Sequence, residues 1–191
     1  KELRLGDPGN PAFDIGPVID AEARDKLSAH IARMEKEQKV RFAGAVPGGD
    51  LSGGTWFAPH VVELKSPRDL TEEVFGPILH IARWKPKHLG QTLDDIAASG
   101  YGLTLGVHSR IDSFHRQVVD RLPVGNVYIN RNMIGAVVGT QPFGGSGLSG
   151  TGPKAGGPDY LARFAQEQVV SINTAAAGGN ASLIAISDDQ V

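Results

Sequence analysis

Within the 191 residues, the segment whose side chains most plainly suit chemistry is Thr71-Glu72-Glu73-Val74-Phe75-Gly76-Pro77. Two adjacent carboxylates precede an aromatic residue and a Gly-Pro break. A carboxylate can accept hydrogen bonds from two neighbouring hydroxyls, such as a ribose diol, and an aromatic ring beside it offers a packing surface. The same letters also suit a structural turn, with Asp69 and Glu72 spaced three apart as a capping pair. Local chemistry leaves both readings open.

Other candidate motifs fail on context. Gly145-Ser146-Gly147-Leu148-Ser149-Gly150 spells G-x-G-x-x-G. A dinucleotide fingerprint needs a helix opening directly after it, so that the pyrophosphate meets the helix N-terminus. Thr151-Gly152-Pro153-Lys154 and two further glycines follow instead. Gly147 to Lys154 also falls short of a P-loop, because Pro153 separates Gly152 from Lys154 and no Ser or Thr comes next. His30, His60, His80, His88, His108 and His115 show neither H-x-H nor H-E-x-x-H spacing, so no metal site is expected. His80 and His108 read as strand residues in the core or on a sheet surface. No Ser sits in G-x-S-x-G.

Composition narrows the classes further. There is no Cys, which excludes a disulfide framework, a Cys-ligated zinc and a Cys nucleophile within these residues. Lys and Arg number 19 against 21 Asp and Glu, a net charge of −2 that gives no footprint for nucleic acid. No run approaches the ~18 apolar residues of a membrane span. Gly is in excess, at 25 residues, roughly 13% against an ordinary 7%. Lys1 is not an initiator Met and no apolar leader follows it. The chain therefore reads as cytoplasmic and as a piece of a larger protein.

The elements that must position these residues follow from periodicity. Ala23, Leu27, Ile31 and Met34 predict an amphipathic helix from about Asp20 to Lys39, with Asp20 as N-cap. Short strands are expected at Val40–Ala43, Thr55–Phe57 and His60–Leu64. Ile78–Trp84, Leu103–His108 and Val124–Asn130 read as strands. Between them lie helices marked by Leu89, Leu93, Ile96 and Ala97, then by Ile111, Phe114, Val118 and Leu122. This alternation predicts an α/β fold with βαβ crossovers and parallel strand pairs. Ten of the 33 residues from Gly125 to Gly157 are Gly, and Pro142 and Phe143 stand among them. The stretch reads as a structured loop region, since Gly lets backbone approach a ligand closely. A short helix at Asp159–Phe164 and a last strand at Gln168–Asn173 are expected, followed by a tail from Thr174 to Val191.

Three blocks together resemble the C-terminal part of the aldehyde dehydrogenase superfamily. They are Glu72-Glu73-Val74-Phe75-Gly76-Pro77, Gly125-Asn126-Val127-Tyr128-Ile129-Asn130 and Gln141-Pro142-Phe143-Gly144-Gly145-Ser146-Gly147, in the family's order, with Tyr101-Gly102-Leu103 between the first two. The finer resemblance is to the glutamate-γ-semialdehyde dehydrogenase module of bifunctional proline utilization enzymes. It is carried by Asn130 to Gly139, Gly150-Thr151-Gly152-Pro153-Lys154-Ala155-Gly156-Gly157-Pro158 and Asn173 to Leu183. On that resemblance, residues 1–173 are the C-terminal portion of the catalytic domain and 174–191 a tail.

The resemblance implies specific roles. Glu73 would hold the hydroxyls of the nicotinamide ribose of NAD, and Phe75 would pack near the nicotinamide, with Leu103 touching the same ring. Gly135 and Ala136 match the loop that anchors the α-carboxylate of an amino-acid semialdehyde, and Phe143 matches an aromatic wall beside its aliphatic stem. The family reaction begins with a Cys thiolate attacking the aldehyde, followed by hydride transfer to NAD+ and hydrolysis of the thioester. With no Cys here, no catalytic residue is assigned; the nucleophile, the general base and the Rossmann domain are expected upstream. A bifunctional parent would also carry an FAD-dependent proline dehydrogenase part, and a homo-oligomer is expected of it. Two alternatives are a monofunctional 1-pyrroline-5-carboxylate or other semialdehyde dehydrogenase, and a non-catalytic domain serving in assembly.

Overall fold

The stripe Leu27, His30, Ile31 and Met34, apolar but for the histidine, recurs at i, i+3, i+4 and i+7, and it becomes the buried face of helix α1 (Ala21–Glu37). Asp20 caps the helix, accepting a hydrogen bond from the Ala23 N–H at 2.7 Å. The structure is a computed structural model describing residues 2–48, 51, 53–150 and 152–173. The expected tail, 174–191, lies outside the described residues.

Helix α1 packs on a three-stranded sheet. Strand β1 (Lys39–Ala43) runs antiparallel to β2 (His60–Leu64), which is parallel to β3 (Ile78–Ala82). Leu27, Ile31 and Met34 of α1 meet Phe57, Val62 and Leu64 in one core; Met34 and Val62 are fully buried. A second core forms where helix α2 (Leu89–Ala97) and helix α3 (Asp112–Arg121) cover a smaller sheet. It unites Leu93, Val107, Val118 and Leu122. Strands β4 (Tyr101–Gly102) and β5 (Thr104–Val107) precede α3, and β6 (Asn126–Ile129) follows it. Strand β6 pairs in parallel with β5, with Thr104 opposite Asn126 and Val107 opposite Ile129. The β5–α3–β6 unit is the expected crossover. Strand β7 (Ser146–Gly147) pairs antiparallel with β4.

Several expectations are corrected. Strands β3 and β5, on either side of α2, belong to different sheets rather than one. Thr55–Phe57 is not a strand: Thr55 bonds to Val18 through both backbone and hydroxyl, the Trp56 indole donates to the Gly53 carbonyl, and Phe57 turns into the core. The capping pair near the acidic segment is Ser66 and Asp69, not Asp69 and Glu72. Ser66 Oγ accepts from the Arg68 N–H, and Asp69 Oδ2 accepts from the Ser66 N–H. This closes a short 3-10 turn at Pro67–Asp69. His108 falls just beyond β5 and is exposed. The helix at Asp159–Phe164 is reduced to a 3-10 turn over Leu161–Phe164. No strand forms at Gln168–Asn173; Val169, Val170 and Ile172 are 72–83% exposed, so among the described residues no second layer covers the apolar pattern.

Candidate functional site

Glu73 and Phe75 stand in the segment that leads into β3, where the chain passes across the N-terminal half of α1. Together they border a groove of about 1220 Å³ whose other wall is α1. Gly76 permits the close approach: a Cβ there would lie 2.5 Å from Leu27 Cδ1. Phe75 is 87% exposed, an unusual position for an aromatic ring and one that leaves its surface available to a flat partner. No side-chain hydrogen bond or ion pair engages Glu73 among the described residues, and its oxygens are free to accept from outside. The neighbouring charges are otherwise engaged. Asp20 caps α1, and Glu22 pairs with Lys26 at 2.6 Å, a bond that raises the Lys26 pKa above its ordinary value.

His30 of α1, which also borders the groove, meets His80 of β3, with their Nε2 atoms 2.9 Å apart. Arg33 Nη2 lies 3.4 Å from His30 Nδ1. Burial lowers the pKa of both imidazoles. The neighbouring His80 and Arg33 lower that of His30 further, and Glu72 opposes them. Residues 50 apart carry no spacing signal, so the sequence does not announce this pair. The one clue was His30 standing on an otherwise apolar face.

The other candidates sit on a different part of the molecule. Gly135, Ala136 and Phe143 belong to the Gly-rich loop after β6, and none of them borders the α1 groove. Gly135 has φ of 89°, a left-handed conformation, and a Cβ built on it meets nothing within 4 Å. Val137 and Gln141 exchange backbone hydrogen bonds at 2.8 and 2.7 Å, and so do Phe143 and Ala155 at 3.0 and 2.8 Å. The loop is thus folded on itself while presenting apolar surface: Ile134 is 84%, Val138 82% and Phe143 57% exposed. Leu103 is half-buried, and its carbonyl accepts from the Asn126 N–H at 3.1 Å. Gly145 to Gly150 forms β7 and a turn in which Ser149 N–H bonds to the Ser146 carbonyl at 3.1 Å. Among the described residues no helix opens after it before the 3-10 turn at Leu161–Phe164. Among the described residues no cluster of three or more His, Cys, Asp or Glu could hold a metal ion, and no helix is long and apolar enough to cross a membrane.

The α/β scaffold thus places a carboxylate and an exposed aromatic on one groove, and a glycine-rich loop after a parallel strand. The chain belongs to the aldehyde dehydrogenase family, whose model matches residues 1–170. It is 51% identical over 167 residues to the bifunctional protein PutA of Salmonella typhimurium, covering 85% of this chain and 13% of that protein. The crystal structure of a bifunctional proline utilization A (PutA) protein is similar with a TM-score of 0.83 at 62% identity, over 93% of this chain and 18% of that one. A 1-pyrroline-5-carboxylate dehydrogenase from Thermus, solved with bound NAD, is similar with a TM-score of 0.73 at 38% identity, over 85% of this chain and 31% of that one. The chain spans only a part of each relative's length.

Proposed function

We propose that these residues are the C-terminal part of an NAD-dependent catalytic domain that oxidises L-glutamate γ-semialdehyde to L-glutamate in proline catabolism. The protein would be a bifunctional one that also contains an FAD-dependent proline dehydrogenase part. Among solved structures, 62% identity to a PutA protein against 38% to the Thermus 1-pyrroline-5-carboxylate dehydrogenase favours this over a monofunctional dehydrogenase. A small-molecule substrate, a homo-oligomeric protein and a cytoplasmic setting belong to the same reading and rest on the family likeness.

The observation that carries the cofactor part is the unengaged Glu73 carboxylate next to an 87% exposed Phe75 on one groove wall. A carboxylate with both oxygens available fits a vicinal diol, and an exposed ring fits a flat heterocycle. NAD+, when bound, supplies the hydride acceptor. This chain's part is to fix the ribose through Glu73 and to limit the ring's freedom through Phe75. Gly135 and Ala136 would offer backbone N–H groups to the α-carboxylate, because no long side chain stands in the way, and Phe143 would flank the aliphatic stem.

The 191 residues contain no Cys, so the thiolate that attacks the aldehyde must be supplied from outside them. Incubated alone with NAD+ and glutamate semialdehyde, this chain is expected to form no NADH, whereas a cysteine-bearing protein containing it is expected to do so. NADH formation by the 191 residues alone, or none by the cysteine-bearing protein, would overturn the reading.

A further inference from the structure

The block around Lys154 has no part in the cofactor groove, yet Lys154 is buried further than a lone surface lysine. Its Nζ donates to the Gly125 carbonyl and to Asn126 Oδ1 at the start of β6. Asn126 Nδ2 in turn donates to Tyr128 Oη at 3.2 Å and to the Pro142 carbonyl at 3.1 Å. Tyr128, only 5% exposed, completes the series by donating its hydroxyl to the Gly135 carbonyl at 3.4 Å. On the other side, the residue after Lys154 is Ala155, which holds Phe143 by two backbone hydrogen bonds. One ammonium group is therefore linked to both ends of the candidate substrate surface, to Gly135 through Asn126 and Tyr128, and to Phe143 through the adjoining backbone.

The chemistry of this linkage is directional. The ammonium has three donors and no acceptor, so Asn126 must turn its carbonyl oxygen toward it and its amide N–H groups toward Tyr128 and Pro142. Tyr128 Oη, having accepted from Asn126, has its own proton free for Gly135. Removing the ammonium releases the Asn126 amide to rotate, and each later bond loses its fixed orientation. Hydrogen bonds involving a charged group are also the stronger ones in such a chain.

We propose that Lys154 is a positioning residue for substrate selectivity: through Asn126 and Tyr128 it holds the Gly135–Ala136 backbone where it can take the α-carboxylate of an amino-acid aldehyde. This rests on the reading of Gly135 and Ala136 as the carboxylate anchor. Lys154 itself touches no substrate. The outcome of losing it is a raised KM for carboxylate-bearing aldehydes, with the reaction of simple aldehydes retained.

The test uses the cysteine-bearing dehydrogenase that contains this chain, with glutamate semialdehyde and propanal as paired substrates. Lys154→Met should raise KM for glutamate semialdehyde about tenfold or more, the scale of one lost charge-assisted hydrogen bond. KM for NAD+ and kcat/KM for propanal should stay within about twofold of wild type. Lys154→Arg should recover part of the loss, because it restores a cationic donor. Tyr128→Phe removes only the hydroxyl and should give the same selective change, and it carries the test if Lys154→Met does not fold. Adding it to Lys154→Met should cost little more, since both act on one linkage. Equal losses on both aldehydes, or no loss, for Lys154→Met and Tyr128→Phe would overturn the proposal. Ala136→Leu separates the two readings. If it too harms both aldehydes equally, the anchor reading has failed; if it is selective while Lys154→Met and Tyr128→Phe are not, the role of Lys154 alone has failed.

Discussion

His30 Nε2 and His80 Nε2 lie 2.9 Å apart, with ring planes inclined at 82° and centroids 5.1 Å apart. At that distance one nitrogen must carry the proton and the other must accept it, so the contact requires at least one neutral imidazole. The contact joins α1, one wall of the groove, to β3, the strand that the Glu73-bearing segment leads into.

Acid should loosen this contact. Burial, mutual repulsion and Arg33 hold His30 below the ordinary imidazole value of 6.5, against the pull of Glu72; burial and Arg33 do the same for His80. The unfolded chain then binds protons that the folded one refuses. Stability contributed by the pair is fully present above about pH 6.5 and falls away as the pH drops through the lower folded-state values. Urea denaturation midpoints measured from pH 8 to pH 5 should be level at first and then decline. In a His30→Gln/His80→Gln variant the decline should be shallower; parallel curves would show that other groups cause it.

Gly76 and Leu27 should be energetically coupled. Leu27 is 3% exposed, and a Cβ on Gly76 would fall 2.5 and 2.6 Å from its two methyl carbons. Gly76→Ala should therefore destabilise by ~1–3 kcal/mol through overpacking, and Leu27→Ala by ~2–5 kcal/mol through loss of buried volume. The double variant should cost less than the sum, because the shortened residue makes room for the new methyl. Additive denaturation energies would mean that the segment carrying Gly76 moves away instead.

Much of the fold is legible in the sequence. The stripe of Leu27, Ile31 and Met34 and the Asp20 cap specify α1 locally, and they appear within a few residues of the expected bounds. Strand β5, helix α3 and strand β6 follow in the expected order for the same reason. Glu73 and Phe75 stand out in the sequence through the motif around them, whereas the groove they border depends on α1 packing beside that segment. What could not be read was long-range. Whether β3 and β5 share a sheet depends on which backbone meets which, and their alternation is the same in either case. The His30–His80 contact and the Lys154–Asn126 bond join residues 50 and 28 apart in the chain, with no period to announce them. Thr55–Phe57 misled because β-propensity describes fit to a pleated surface, and Trp56 instead bonds back to Gly53.

Glu73→Ala, made in the cysteine-bearing protein, tests the ribose role. Since no protein group engages the Glu73 side chain among the described residues, its loss should leave the thermal midpoint almost unchanged. It should lower kcat/KM for NAD+ about tenfold or more, on the scale of hydrogen bonds to a charged acceptor. Steady-state kinetics and a melting curve from the same preparation check this. Kinetics equal to wild type would remove Glu73 from the site.

Gly135→Ala should separate backbone conformation from space. A Cβ at this position meets nothing within 4 Å, so no clash is introduced, but φ of 89° disfavours any L side chain. The left-handed conformation costs roughly 1–2 kcal/mol for such a residue, and the loop can relieve it by rotating the peptide that carries the Gly135 carbonyl. That carbonyl is the acceptor for Tyr128 Oη, so relief comes at the expense of the linkage to Lys154. The expected outcome is a raised KM for glutamate semialdehyde, little change for propanal, and a denaturation midpoint close to wild type, because the cores around Leu27 and Leu93 do not include this loop. A large fall in the midpoint would mean that Gly135 is needed for folding, and an unchanged KM would mean that its conformation does not matter to substrate binding.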